Sequence, residues 1–218
     1  GSDILDADVF LRGADILFEA AQNFKDLEYL DFGSGFKVKY HDNDNTTNIE
    51  DLGAKISDRF QEFCANYGKE LTLVFEPGKF MVSESGFLFV RTNVIKQTTA
   101  TVFAGVDSGQ NHLIRPMMYD AYHHITNISN PNGVQRIYTV VGYICETDTF
   151  GWDRQLNEVR EGDILALHNA GAYGYSMSSN YNSRYRPAEV LIHNGSAKLI
   201  RRRENLDDLL ATQIEVEF

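Results

Sequence analysis

The chain has 218 residues, of which 43% are hydrophobic and 23% charged, so it can form one large domain or two small ones with a buried core. Its formal net charge of −11 argues against nucleic-acid binding, which needs clustered Lys and Arg. The sequence has no run of about 18 apolar residues and therefore predicts no membrane span. Its two cysteines, Cys64 and Cys145, form neither a disulfide framework nor a CxxC motif, and we expect a reducing, cytoplasmic compartment and no metal.

The first third of the chain alternates between helical and extended patterns. Apolar residues recur at helical spacing between 6 and 24, and residues 27–32 predict a short strand that ends at a glycine-rich turn. After a polar loop at 41–47, residues 49–63 predict an amphipathic helix. Residues 71–75 are a nearly continuous apolar run, which is typical of a buried parallel strand.

The pattern changes after Pro77. Runs rich in Val, Ile, Thr, Tyr and Phe, bounded by Gly, Asn, Asp and Pro, predict strands at 87–96, 99–106, 136–145, 163–168 and 188–193. Leu206, Leu209 and Leu210 indicate one short helix near the end. These runs are typical of a mostly antiparallel β domain.

Together the two patterns predict an α/β plus β fold. We expect residues 1–78 to be the C-terminal portion, the last strands, of a partial (β/α)8 barrel, since a complete barrel needs roughly 250 residues. We expect residues 79–218 to be an antiparallel β-sandwich or barrel with a short C-terminal helix.

Two segments of the first part follow predicted strands and carry residues suited to ligand binding. Gly33-Ser34-Gly35 follows the strand at 27–32, where glycines let backbone N–H groups approach a phosphate. Glu76-Pro77-Gly78-Lys79 follows the strand at 71–75, where an acid and a cation can polarise a ligand. A plain glycine turn and a turn with a surface salt bridge are the structural alternatives.

Three further segments lie in the predicted β domain. Arg115 begins the run RPMMY and can hold a carboxylate bidentately, although an Arg-Pro pair is also common in loops. Cys145-Glu146 follows an apolar strand, and acidic neighbours suit a thiol that donates a proton more than one that attacks as a nucleophile. Tyr173 lies within GAYG, where small residues allow close approach to a ligand, and a glycine-rich hairpin is the alternative.

The order and spacing of these runs resemble the fold-type-III pyridoxal-phosphate-dependent decarboxylases. The matching runs are Gly1-Ser2-Asp3-Ile4, DFGSGF, EPGK, RPMMY, CETD and GAYG followed by NYN, and they extend over essentially the whole chain. Within the family the sequence is most similar to the diaminopimelate decarboxylases. The resemblance implies pyridoxal 5′-phosphate as cofactor and the conversion of meso-diaminopimelate to L-lysine and CO2 in lysine biosynthesis.

The resemblance also implies which residues contact the cofactor. Glu76 matches the acid that pairs with the pyridine nitrogen and keeps the ring able to accept electrons. Lys79 replaces the usual Arg, so the charge is kept and the bidentate fork is lost. The implied cofactor contacts are Ser2, Gly33, Ser34, Gly35, Glu76, Gly78, Lys79 and Tyr173.

Substrate contacts and the dimeric state are implied in the same way. Cys145 matches the general acid that protonates the carbon after CO2 departs, and with Glu76 it completes the implied catalytic pair. The implied substrate contacts are Lys79, Arg115, Tyr119, Glu146 and Tyr173. The family places the Cys145 segment in the partner subunit's site, so we expect a homodimer with shared active sites.

None of the lysines of this chain matches the family's Schiff-base lysine, which lies early in the barrel. We therefore expect a chain that belongs to a longer protein, is inactive alone and begins with native Gly1-Ser2 rather than a tag remnant. Two alternatives stay open. One is a related decarboxylase that acts on ornithine, arginine or carboxynorspermidine, and the other is a non-catalytic homologue that regulates a decarboxylase.

Overall fold

The computed structural model describes residues 4, 6–41 and 43–217. Ser2, one of the predicted cofactor contacts, lies outside the described residues together with Gly1. The chain divides into two compact units, residues 1–84 and 85–218. Among the described residues, no helix is both long enough and apolar enough to cross a bilayer.

The first unit is built from helices that alternate with short parallel strands. Its regular elements are α1 (Ala7–Ala21), β1 (Tyr29–Asp31), α2 (Ile49–Tyr67), β2 (Thr72–Val74) and α3 (Gly78–Val82). The side chain of Asp6 caps α1, that of Asn48 caps α2, and Gly68 ends α2 in the left-handed conformation at φ 80°. β1 and β2 pair in parallel, with Leu30 opposite Leu73.

Apolar faces of both long helices form the core of this unit. Phe18 of α1 stacks on Phe63 of α2 at 4.7 Å between ring centres, and both pack with Leu30 of β1. Phe36 packs between Phe75 and Phe80, with ring centres 5.7 and 5.8 Å away. These contacts support the loops that follow the two strands. The structure shows the predicted parallel α/β pattern here, and its membership of a (β/α)8 barrel stays a prediction.

A six-stranded mixed sheet forms most of the second unit, in the order β5-β8-β3-β4-β6-β7. Its elements are β3 (Leu88–Gln97), β4 (Val102–Val106), α4 (Arg115–Tyr119), β5 (Ile125–Asn127), β6 (Gln135–Val141), β7 (Thr149–Asn157) and β8 (Ile164–Leu167). β4 and β6 are parallel, whereas the other neighbouring pairs of this sheet are antiparallel. β3 pairs with β8 along its first half and with β4 along its second, across a bulge between Thr92 and Val94.

The two end strands of this sheet lie beside each other, so the sheet is nearly closed. The side chain of Asn127, at the end of β5, donates to the Glu158 carbonyl just after β7 at 2.8 Å. Val140, Leu165 and Leu167 are fully buried inside. The unit ends with an antiparallel hairpin, β9 (Glu189–His193) and β10 (Ser196–Arg201), followed by α5 (Leu206–Leu210). Asn194-Gly195 has positive φ at both positions, which suits a two-residue hairpin turn.

Several sequence predictions need correction in this unit. The predicted strand at 136–145 ends at Val141, so Cys145 lies in a loop rather than at a strand end. RPMMY forms the single-turn helix α4 and, in the first unit, EPGK runs directly into α3; neither helix was predicted. The prediction of a short helix at Leu206–Leu210 is confirmed. β5, β7 and β10 were not predicted.

Candidate active site

The glycine turn and the acidic turn of the first unit lie at the same edge of its sheet. β1 and β2 are parallel neighbours, so Gly33, just after β1, and Glu76, just after β2, meet at their carboxyl ends. The Glu76 N–H donates to the Gly33 carbonyl at 2.6 Å. A Cβ built on Gly33 would lie 4.0 Å from Glu76 Oε2. The structure therefore brings together two residues that the sequence predicted at one ligand.

Two glycines give this turn its shape. Gly33 has φ 62° and Gly35 has φ 133°, a region in which other residues are strained. The Gly33 N–H donates to Asp31 Oδ1 at 2.7 Å, and the Ile4 N–H donates to the Gly35 carbonyl at 2.8 Å. Ser34 is half-buried between them. The turn is thus fixed on both sides by hydrogen bonds.

Lys79 lies in the first turn of α3, one residue after Gly78. Its Nζ is 5.6 Å from the centre of the Tyr40 ring, a cation–π distance. The side chain is half-buried. The structure thus places a cation near the edge at which Glu76 follows β2.

In the second unit, α4 presents two predicted substrate contacts. Arg115 is only 6% exposed, and its guanidinium carbon is 5.9 Å from the centre of the Tyr173 ring. Tyr119, one helical turn later, directs its hydroxyl to Met177 Sδ at 3.9 Å. Tyr173 has φ 59°, a strained conformation for a bulky residue and one that is enriched at functional sites. Arg115 and Tyr173 are therefore neighbours, as expected for residues that meet one ligand.

A histidine that the sequence analysis missed lies beside Arg115. His123 is fully buried, and its Nε2 is 3.2 Å from Arg115 Nη1. Its Nδ1 is 2.7 Å from the His168 carbonyl, which can only accept a hydrogen bond. Burial lowers the pKa of His123 to about 4. In the sequence, His123 stands beside His124, eight residues after Arg115. No periodic pattern around this pair distinguishes a buried histidine from one in an exposed loop.

Cys145 and Glu146 form a small exposed network with Tyr181. The Cys145 thiol donates to Glu146 Oε2 at 3.3 Å, and the Tyr181 hydroxyl donates to Glu146 Oε1 at 2.8 Å. Hydrogen bonds from Tyr181 and then Cys145 hold the pKa of Glu146 below its usual value. The bond to Glu146 raises the pKa of Tyr181. A carboxylate that stays ionised here suits a ligand ammonium.

The neighbouring Asp148 shapes the loop that carries Cys145. Asp148 Oδ1 accepts from the Gln110 N–H at 2.6 Å, and Oδ2 accepts from the Ile144 N–H at 2.7 Å. Burial raises the pKa of Asp148. A Cβ on Gly142 would overlap Asp148 Oδ2 and also the backbone carbonyl oxygen of Ser108, so this position favours glycine. Asp148, the last residue of the CETD run, therefore stabilises the conformation of the loop through its hydrogen bonds to the backbone.

A cavity of about 340 Å³ opens beside this loop and α4. It is lined by Gln110, Asn111, Ile114, Met117, Glu146, Ser179 and Tyr181. Gln110 also donates from its side chain to the Glu146 carbonyl at 3.2 Å. Glu146 and the helix that carries Arg115 therefore border the same space.

The GAYG segment is positioned by a close backbone contact. The Ala170 N–H donates to the Gly86 carbonyl at 2.8 Å, and a Cβ on Gly86 would overlap the backbone of Gly171. A Cβ on Gly174 would overlap the Ala170 carbonyl oxygen. The backbone on both sides of the strained Tyr173 is therefore closely packed. A larger residue at Gly86 or Gly174 would require the backbone to move.

We expect Gly86→Ala to lower the free energy of unfolding by about 1–3 kcal/mol, because backbone atoms cannot yield to the added methyl group. Urea denaturation of the variant and the unmodified protein measures the difference. Gly53→Ala is the matched control, because Gly53 lies on an exposed face of α2 and a methyl group added there would have no other atom within 4 Å. Gly53→Ala should stabilise the protein by about 0.5–1 kcal/mol, because alanine loses less backbone freedom than glycine when it is fixed in a helix. Equal effects of the two substitutions would contradict the close contact at Gly86.

Comparison with known proteins identifies the family. The family model of the pyridoxal-dependent decarboxylase C-terminal sheet domain matches residues 15–171. The chain belongs to this family. The family predicted from the order of the sequence runs is therefore confirmed.

Several proteins with sequences similar to this chain are named diaminopimelate decarboxylase. The chain is 40% identical to the diaminopimelate decarboxylase of Methanothermobacter thermautotrophicus, covering 98% of this chain and 51% of the relative. It is 38% identical to the diaminopimelate decarboxylase of Aquifex aeolicus, and the match covers 99% of this chain and 51% of that relative. The diaminopimelate decarboxylase of M. jannaschii, solved in co-complex with L-lysine, matches with a TM-score of 0.89 at 34% identity, covering 99% of this chain and 50% of that one. The chain spans about half the length of the curated relatives it matches.

Proposed function

We propose that the full-length protein is a pyridoxal-phosphate-dependent diaminopimelate decarboxylase that releases CO2 from meso-diaminopimelate and forms L-lysine. The observation that carries the proposal is the Cys145–Glu146–Tyr181 network, in which a thiol donates to a carboxylate whose residue lines a cavity together with Tyr181. The relatives with this enzyme's name, which match almost the whole chain at 38–40% identity, support it.

The residues of the first unit fit the cofactor by their chemistry. A turn of positive-φ glycines at a strand end suits a phosphate, and we assign Gly33, Ser34 and Gly35 to it, with Gly78 and Lys79 nearby. We assign Glu76 to the pyridine nitrogen, since its backbone is tied to Gly33 and its carboxylate is exposed. The bound cofactor supplies an acceptor for the electrons that departing CO2 leaves behind.

The second unit supplies the proposed contacts to substrate. Arg115 and Tyr119 bind a carboxylate, Glu146 binds an ammonium group, and Tyr173 contacts cofactor and substrate. Cys145 donates its thiol proton to the carbon that loses CO2, and the thiolate then regains a proton before the next turnover. A guanidinium at position 79 would bind an anion through two parallel hydrogen bonds and so fix the anion's orientation. The ammonium group of Lys79 is a point charge, and it accepts substrate or phosphate in more orientations.

We propose further that residues 1–78 are the end of a cofactor-binding (β/α)8 barrel, that residues 79–218 are the β domain and that the protein acts as a cytoplasmic homodimer. A loop that enters a partner subunit's site has to lie at the surface, and Cys145 and Glu146 are exposed. A thiol that donates protons has to stay reduced, which fits the cytoplasm.

Arg115 favours diaminopimelate over the alternative substrates. Decarboxylation of diaminopimelate leaves a second carboxylate on the product, whereas ornithine and arginine lose the carboxylate they have. A buried guanidinium beside the ligand is best matched by a carboxylate that persists through the reaction.

A substrate panel tests the proposal. CO2 release by the full-length protein with added pyridoxal 5′-phosphate is measured on meso-diaminopimelate, L-ornithine, L-arginine and carboxynorspermidine. We expect kcat/KM for diaminopimelate to exceed that for the others by about 100-fold or more, because the site's charged groups would otherwise be left unmatched. Preference for another substrate would overturn the substrate assignment, and no CO2 from any of them would favour the regulatory homologue.

A further inference from the structure

His123 is held as a neutral imidazole with a fixed proton position. The His168 carbonyl accepts at 2.7 Å, so Nδ1 carries the proton and Nε2 presents a lone pair. The His168 carbonyl is itself fixed, because the residue's N–H donates to the His124 carbonyl at 2.8 Å. Burial is the main reason that the pKa of His123 is low, and the charges of Arg115 and Arg154 lower it further. His123 is therefore an acceptor at neutral pH.

The lone pair on Nε2 faces Arg115. Nη1 of Arg115 donates to it at 3.2 Å, and the guanidinium carbon lies 5.9 Å from the centre of the Tyr173 ring. A guanidinium that contacts both a fixed acceptor and a ring has a restricted plane. Because bidentate recognition of a carboxylate depends on that plane, the acceptor has a direct effect on what Arg115 can bind.

The chain turns sharply to place His123 there. α4 is a single turn that ends at Tyr119, and the next residue, Asp120, has φ 54°. The N–H groups of Asp120 and Ala121 both donate to the Arg115 carbonyl. The sheet strand β5 begins at Ile125, so His123 is fixed between a tight turn and a buried strand. This geometry leaves the imidazole little freedom to follow a moving guanidinium.

We propose that His123 is a positioning residue that orients Arg115 for the ligand carboxylate that remains after decarboxylation. The inference rests on the proposed function, in which Arg115 binds that carboxylate. It assigns a task to a buried residue whose two ring nitrogens contact Arg115 and the His168 carbonyl.

Two side-chain amides separate positioning from packing. In His123→Gln the amide reaches the position of Nε2 and keeps an acceptor for Arg115, whereas in His123→Asn the shorter amide can replace Nδ1–H and leaves no acceptor at Nε2. His193→Asn, at an exposed position of β9, is the surface control.

Calorimetry on the full-length, cofactor-loaded protein provides the readout, with L-lysine and cadaverine as probes because they differ only in the carboxylate. We expect His123→Asn to weaken L-lysine binding by about 10-fold, as for loss of a hydrogen bond to a charged group, and to leave cadaverine binding unchanged. His123→Gln and His193→Asn should stay within about 3-fold of the unmodified protein for both probes. KM for diaminopimelate should rise in His123→Asn with little change in kcat, since uniform binding is lost.

These measurements test the positioning role of His123 separately from the proposed carboxylate contact of Arg115. An unmodified protein that binds L-lysine no better than cadaverine contradicts the carboxylate contact and so the proposed function of Arg115. A preference for L-lysine that survives in His123→Asn overturns the positioning role alone. Equal weakening of both probes in His123→Asn, with a lower melting temperature, would assign His123 to packing and also overturn the inference.

Discussion

Cys145→Ala is expected to lower kcat of the full-length protein by about 100- to 10,000-fold, because it removes the proposed general acid. The thiol is exposed and has its proton directed at Glu146, so its removal leaves the fold around it largely unchanged. KM for diaminopimelate should change much less than kcat. Steady-state CO2 release measures both constants.

Cys64→Ala is the matched control for this experiment. Cys64 is half-buried on α2 and packs against the aromatic core of the first unit, so its removal affects stability rather than proton transfer. A Cys145→Ala variant with the kcat of the unmodified protein would refute the proton-donor assignment. A comparable loss in Cys64→Ala would show that thiol removal acts through the fold.

Glu76→Gln is expected to lower kcat on the order of 100-fold or more, because a neutral amide cannot hold the cofactor's ring nitrogen protonated. The backbone bond from residue 76 to the Gly33 carbonyl survives in this variant, since Gln keeps the N–H. Cofactor content, measured by absorbance after denaturation, should therefore fall far less than kcat.

Glu70→Gln separates this role from a general charge effect. Glu70 is exposed and precedes β2, whereas Glu76 follows it, so the two acids lie at opposite ends of one strand. We expect Glu70→Gln to retain activity. Equal losses in both variants, or full activity in Glu76→Gln, would contradict the assignment of Glu76 to the ring nitrogen.

Local patterns predicted the elements whose burial follows a regular period. The helices at 7–21 and 49–67 have apolar stripes, and the core strands β3 and β8 are rich in branched and aromatic residues. Gly33 and Glu76, which the family resemblance implied as contacts of one cofactor, are joined by a backbone hydrogen bond.

Elements defined by the closure of the sheet were not predictable. β5 has three residues, and β7 contains Gly151 and charged side chains, so neither has a strand-like pattern of its own. Cys145 was assigned to a strand because an apolar run precedes it, but Asp148 binds the backbone of Ile144 and turns the chain into a loop. His123 is buried by residues distant in sequence, which local pattern does not record.

The most direct test of the central claim is proton NMR of the full-length protein's reaction with meso-diaminopimelate in D2O, with bound cofactor verified by absorbance. Breaking of one carbon–carboxylate bond and transfer of an exchangeable deuteron to the same carbon predict L-lysine with a single deuterium at its terminal methylene. Diaminopimelate that remains intact in the presence of cofactor-loaded protein would contradict the account.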